Sequence, residues 1–362
     1  MAARRARGIW KPTSLWIAYL CGAPLSSSSA LWRATFKGGA SLKDPSNVLS
    51  YPPNDPLFPH QKTFFEALRI EEVWEAVTES GLSRKDVFVT IIDTGIAPGH
   101  PEFEEKLLEG YDASGAWPES LTDHSGHGTA MAGVLGANIN NGVGIAGIAD
   151  KVRIRPIRLT DRATGRATGT MKARSWEAAL KFEDTDIIVF AYGSPFTQDN
   201  SLFYKRTLEE AVRKGIFVVT ASFNSDTNDT TAVPLPCSLG HIIPGVLCVA
   251  ATNAFHPTQV LAEPSQLASL GLPGSESWAP IPRDRDHLAY KFKKYRGSSI
   301  AAAAVGGLVA LMKSFKNFKP AEIQRILLNS TEGRCKTKSG EEMLYGVLRP
   351  HLAIRQAVAL AR

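Results

Sequence analysis

The sequence predicts an α/β domain with a mostly parallel central sheet and helices on both faces. Two observations carry this. Residues 87–92, 187–190, 216–219 and 246–249 are short runs rich in β-branched side chains, apolar but for Thr90 and not alternating, as strands buried on both faces are. Between them lie stretches of helical period, of which residues 201–214 are the clearest. Strands alternating with helices build parallel sheets, and ligands bind beyond the carboxyl ends of their strands.

A chain of 362 residues with 44% hydrophobic and 21% charged residues is long enough for one large core and has an ordinary globular composition. Its formal charge is +6, yet residues 1–43 hold seven basic residues and no acid, so the remainder stands at −1. No overall cationic field is left to attract a polyanion, which excludes nucleic acid as a partner class. The same front segment has a basic start, an apolar stretch at residues 15–20 and small residues at 26–30. That order suits a secretory signal, with delivery to the exterior or to vesicles, and organellar import is the alternative. The apolar run 300–312 is short for a bilayer and reads as a buried helix, so no transmembrane anchor is expected.

Prolines 45, 52, 53, 56 and 59 mark a loop-like entry. The domain is placed at residues 51–362, after a leader and linker over residues 1–50. Cys21 falls in the leader, and Cys237, Cys248 and Cys335 form an odd set. Cys237 and Cys248 either bridge or stay two thiols. Asn228 and Asn329 head glycosylation sequons, which matter only on secretion.

Three clusters carry chemistry. Asp93 follows the strand at 87–92 and precedes Thr94-Gly95, which sets a carboxylate at a strand end, although a lone Asp there is as a rule a turn residue. His127 stands between Gly126 and Gly128 at the start of a small-residue helix, where glycines admit close neighbours. No second His or Cys follows at ligand spacing, which counts against zinc. Ser299, after Gly297-Ser298, opens the apolar stretch at a helix N-terminus, where free N–H groups favour developing negative charge. The bland alternative is that one of these serines only caps the helix.

Together they supply an acid, a base and a nucleophile in the order Asp, His, Ser. With residues 54–58, Asp93-Thr94-Gly95, Gly126-His127-Gly128-Thr129 and Gly297-Ser298-Ser299 in register up to about Val309, the chain resembles the subtilisin-like serine proteases. The resemblance implies a three-layer subtilisin-like fold and a monomeric serine endopeptidase acting on polypeptides. Ser299 would attack, His127 would shuttle the proton and Asp93 would orient the imidazole. Asn224 would complete the oxyanion hole, and Ala191-Tyr192-Gly193 would pair with substrate backbone. Residues 138–147 resemble the family's structural calcium loop. Its donors would be Asn141, the carbonyls of Ile139, Val143 and Ile145, and the outlying Gln61 and Glu102, with Glu102 where Asp is usual. A plain Asn-Gly turn is the alternative there.

The pattern departs at Ile300, Ala303, Ala304 and Ala130, none of which transfers protons. Phe223 replaces a glycine on the wall of the pocket for the residue before the cut, which predicts a preference for small side chains. The rival reading is a weak or inactive peptide-binding pseudoprotease. An aspartic protease would need a second Asp-Thr-Gly, and an esterase Gly-x-Ser-x-Gly at Ser299; neither is present.

Overall fold

The computed structural model describes residues 48–362 apart from 116–119, 163, 225–234, 263–266 and 283–290. The leader, but for residues 48–50, lies outside the described residues with Cys21, as does the sequon at Asn228. All described residues belong to one compact unit, Lys43–Arg362.

Helices α1 (Phe58–Leu68) and α2 (Ile70–Thr78) lead into strand β1 (Val87–Asp93), whose valines and isoleucines are buried on both faces. After them come β2 (Tyr111–Asp112), α3 (His127–Gly136), β3 (Val152–Arg158), α4 (Gly169–Lys181) and β4 (Ile187–Phe190). Next are α5 (Gln198–Arg213), β5 (Phe217–Ala221), β6 (Val246–Thr252) and β7 (Leu270–Pro273). A separate hairpin, β8 (Ser277–Ile281) and β9 (Lys291–Tyr295), precedes α6 (Ser298–Phe315). The described chain closes with α7 (Pro320–Asn329), β10 (Thr331–Glu332), β11 (Val347–Leu348) and α8 (Pro350–Ala361).

Among the described residues nine strands form one sheet in the order β10-β11-β7-β6-β5-β4-β1-β3-β2, parallel except for β10 against β11. This is the expected α/β architecture, with boundaries moved slightly. Asp93 is the last residue of β1, aligned with Arg158 of β3, rather than the residue after it. Helix α5 begins ahead of the periodic window because the Thr197 side chain accepts a hydrogen bond from the Asn200 N–H.

Alternate strand residues feed two cores. Ile91 and Val189 pack with α2, α3, α6 and α8, whereas Ile92 and Ile188 pack with Trp176 of α4 and Tyr204 and Leu208 of α5. Every residue of α6 except Phe315 is buried. The helix runs 18 residues, beyond the apolar run seen in sequence and long enough to cross a membrane, but it is the spine of the larger core. Cys237 and Cys248 are joined in a disulfide, and Cys335 is a buried free thiol.

The chain runs from β1 to β3 on one side and then returns to β4 on the other. The carboxyl end of β1 is therefore a point where strand order reverses, and a crevice forms there.

Candidate active site

Asp93 occupies that point and is 1% exposed. Its Oδ1 accepts the Thr94 N–H at 2.7 Å, and His127 Nδ1 lies 2.8 and 2.9 Å from Oδ1 and Oδ2. Helix α3 reaches this close through glycine, since a Cβ on Gly128 would lie 2.2 Å from the Gly95 carbonyl and 3.0 Å from Asp93 Cβ. With Nδ1 donating to the carboxylate, Nε2 is left as the acceptor.

A second buried carboxylate fixes the approach to His127. Asp123 Oδ1 accepts from the N–H groups of Ser125 and Gly126, and Oδ2 accepts from the N–H and hydroxyl of Thr129. Thr94 Oγ1 accepts the Gly128 N–H at 2.8 Å. The imidazole is 26% exposed and lies edge-on between the rings of Tyr192 and Tyr295. Burial alone would lower its pKa. The Asp93 charge and hydrogen bond, aided by Asp123, outweigh that and hold it above the ordinary value. The Tyr295 hydroxyl is pushed up to about 12 by burial and by the charges of Asp123 and Asp93, so it stays neutral.

Ser299 is the second residue of α6 and is 7% exposed. The capping alternative does not hold, because Gly297 is the N-cap and no side chain caps the helix. Gly297 has φ 116°, and a Cβ there would meet Asn224 Oδ1 at 2.6 Å. Asn224 Oδ1 accepts from the Ser298 N–H at 2.8 Å and the Ser298 hydroxyl at 3.0 Å. Its amide NH2 makes no hydrogen bond among the described residues and is an open donor. The Ser299 hydroxyl is likewise unbonded, including to His127; such contacts are often loose without substrate.

Helix packing joins the helices that carry His127 and Ser299. A Cβ on Gly307 would lie 2.8 Å from the Leu135 carbonyl, and one on Gly306 would lie 2.9 Å from Leu135 Cδ1, so α3 and α6 cross at near backbone contact. Leu135 and Gly307 each follow their catalytic candidate by about two turns. Both helices thus start the same distance before their crossing, at the carboxyl edge of the sheet.

Ala191, Tyr192 and Gly193 continue from the end of β4, and Ser194 pairs with Leu235 through both backbone groups. The Phe223 ring approaches to 3.7 Å from where a Gly193 Cβ would stand, so the ring faces the bare backbone of Gly193. The Gly193 carbonyl is not free: it accepts from Lys172 Nζ of α4 at 2.7 Å.

Around residues 138–147, Glu102 is 0% exposed and accepts from the Ile145 N–H at 2.7 Å and from Asn141 Nδ2 at 3.4 Å. Burial raises its carboxyl to about 8, and burial raises the neighbouring Asp55 to about 6. The carbonyls of Ile139, Val143 and Ile145 accept no backbone hydrogen bond among the described residues. Two buried carboxyls beside open carbonyls form an oxygen-only donor set suited to a hard cation. Asn141 Oδ1 now accepts the Val143 N–H, and Gln61 is spent on both backbone groups of Ala146. No group of three or more His, Cys, Asp or Glu side chains is placed for a metal among the described residues, so backbone oxygens would make up most of this site.

Asp123, Thr94, Ser298 and Lys172 are the site residues that sequence reasoning did not assign. For Asp123 a signal existed, an Asp shortly ahead of a helix start in a Ser-Gly turn.

A buried carboxylate bound to an imidazole at the switch point, with a serine and an open amide at a facing helix N-terminus, defines a candidate centre for acyl transfer through serine. Residues 84–347 match the model of the subtilase family, peptidase family S8, and the chain belongs to that family of serine proteases. It is 25% identical to the major intracellular serine protease of Bacillus subtilis over 69% of this chain and 74% of that protein. It is 27% identical to thermitase of Thermoactinomyces vulgaris over 73% of this chain and 86% of the relative. Among solved structures, a protease from Pseudoalteromonas arctica superposes with TM-score 0.68 at 21% identity, covering 84% of this chain and 99% of its own. Fervidolysin from Fervidobacterium pennivorans superposes with TM-score 0.65 at 23% identity, covering 79% of this chain and 45% of its own. Both structural likenesses bear on the fold alone.

Proposed function

We propose that the chain is a serine endopeptidase whose triad is Asp93, His127 and Ser299. The observation that carries the reading is the two-oxygen contact of buried Asp93 with His127 Nδ1, at 2.8 and 2.9 Å, on the sheet edge where α6 presents Ser299. Ser299 Oγ attacks the scissile carbonyl while His127 Nε2 takes its proton, and Asp93 stabilises the imidazolium without being protonated. The Asn224 amide and the Ser299 N–H receive the oxyanion, a contact of a kind worth about 3 kcal/mol. His127 returns the proton to the leaving amine, and a water then repeats the sequence on the acyl-enzyme.

Substrate lies extended along residues 191–193, and Phe223 over Gly193 narrows the space for the side chain before the cut. The donors around Glu102 would hold a calcium ion that braces the loop and takes no part in the chemistry.

The test is to express residues 48–362 with and without Ser299→Ala and to measure fluorophosphonate labelling and casein cleavage. The parent protein is expected to do both and the variant neither. Equal signals from the two would end the triad reading, and folded but inert parent protein would favour the pseudoprotease.

A further inference from the structure

Lys172 stands beside the proposed substrate strand with its charge unpaired among the described residues. It lies in the first turn of α4, where the positive end of the helix dipole disfavours a cation. It is half-buried, burial lowers its pKa, and no carboxylate among the described residues pairs with it. Its ammonium donates to the Gly193 carbonyl at 2.7 Å and the Ser194 hydroxyl at 2.8 Å. Two of its three N–H donors are thus committed, which leaves one donor and the charge without a partner among the described residues. Ser194 is held in turn by the Tyr204 hydroxyl at 3.0 Å and by its backbone pairing with Leu235, so the ammonium is anchored on rigid structure. The charge therefore stands at the edge along which substrate is read to lie.

We propose that Lys172 is a specificity residue that selects an acidic side chain in the substrate, two to four residues before the cleaved bond. The proposal rests on residues 191–193 being the strand that receives substrate. A carboxylate there takes the third Lys172 donor and supplies a counter-charge that no described residue provides, a charge-assisted hydrogen bond. Because this contact is the same in ground and transition states, it is expressed in KM rather than kcat.

The experiment uses quenched peptides that are identical except for Glu, Ala or Lys at each of those upstream positions. At low salt, Glu at one position is expected to raise kcat/KM about tenfold over Ala through KM. Lys172→Arg should keep the preference, Lys172→Met remove it, and Lys172→Glu turn it toward the Lys peptide. A peptide order unchanged by Lys172→Glu would overturn the proposal. The same peptides are bound to Ser299→Ala and read by fluorescence anisotropy, so the charge preference is measured without any chemistry. Cleavage of the Ala peptide by the parent protein tests the triad independently.

Discussion

At the scale of single residues, the centre depends on two buried carboxylates with different tasks. Asp93 orients the imidazole, while Asp123 clamps the turn before it and adds negative charge. In the proposed triad His127 must be neutral to accept a proton, and its pKa is raised, so kcat/KM should climb with pH through a midpoint above the ordinary 6.5. Asp123→Asn should move that midpoint down, because one of the charges that hold the proton is gone. A pH–rate profile identical to the parent's would count against this role. Phe223 makes a second prediction. Peptides with Ala or Ser before the cut should be preferred, and Phe223→Gly should extend cleavage to Phe, Tyr and Leu. Best cleavage after those large residues by the parent protein would refute it.

The residues proposed for the triad stand out in the sequence because each sits in a short motif with glycines, and at Gly128 and Gly297 the structure shows why. Gly128 must clear Asp93, and Gly297 must clear Asn224. Lys172 was not legible. Its partner is a backbone carbonyl brought near by the turn from α4 into β4, and carbonyls leave no mark in sequence.

At the scale of elements, strands β1, β4, β5 and β6 were readable because burial on both faces demands unbroken apolar runs. The hairpin β8–β9 was not. Lys291, Lys293 and Lys294 leave it little apolar signal, yet it supplies Tyr295 beside His127. The crossing of α3 over α6 likewise depends on facing small residues rather than on period. Gly307→Ala puts a methyl 2.8 Å from the Leu135 carbonyl and 2.9 Å from Ile148 Cβ. It should destabilise the protein by about 1–3 kcal/mol despite the better helix propensity of alanine. Specific activity of the folded fraction should fall too, since the starts of the two helices are spread apart. Calorimetry with active-site titration checks both, and a neutral substitution would mean that the crossing has slack.

At the scale of the whole molecule, the buried carboxyls near the entry of the domain tie stability to pH. Glu102 is raised from 4.5 to about 8 and Asp55 from 3.8 to about 6, so the folded state holds these protons more firmly than the unfolded chain does. Their contribution is complete below the unfolded values and is lost as pH rises through the folded ones. In chelator, the melting temperature should therefore fall between roughly pH 4.5 and 8. Calcium should restore it most at the alkaline end, since the ion replaces the lost protons as counter-charge. If calcium leaves the melting curve at pH 8 unchanged, the loop is closed by hydrogen bonds alone and the proposed ion site is void.

The burial of α6 on every side also governs when activity can arise during synthesis. A helix with no polar face cannot rest in water, so it must insert between layers that already exist. Asp93 and His127 leave the ribosome long before Ser299, and a chain cut short anywhere ahead of residue 298 lacks both that serine and its central packing element. The serine of the proposed triad is thus the last of its three members to be made, and it arrives together with the helix that completes the core.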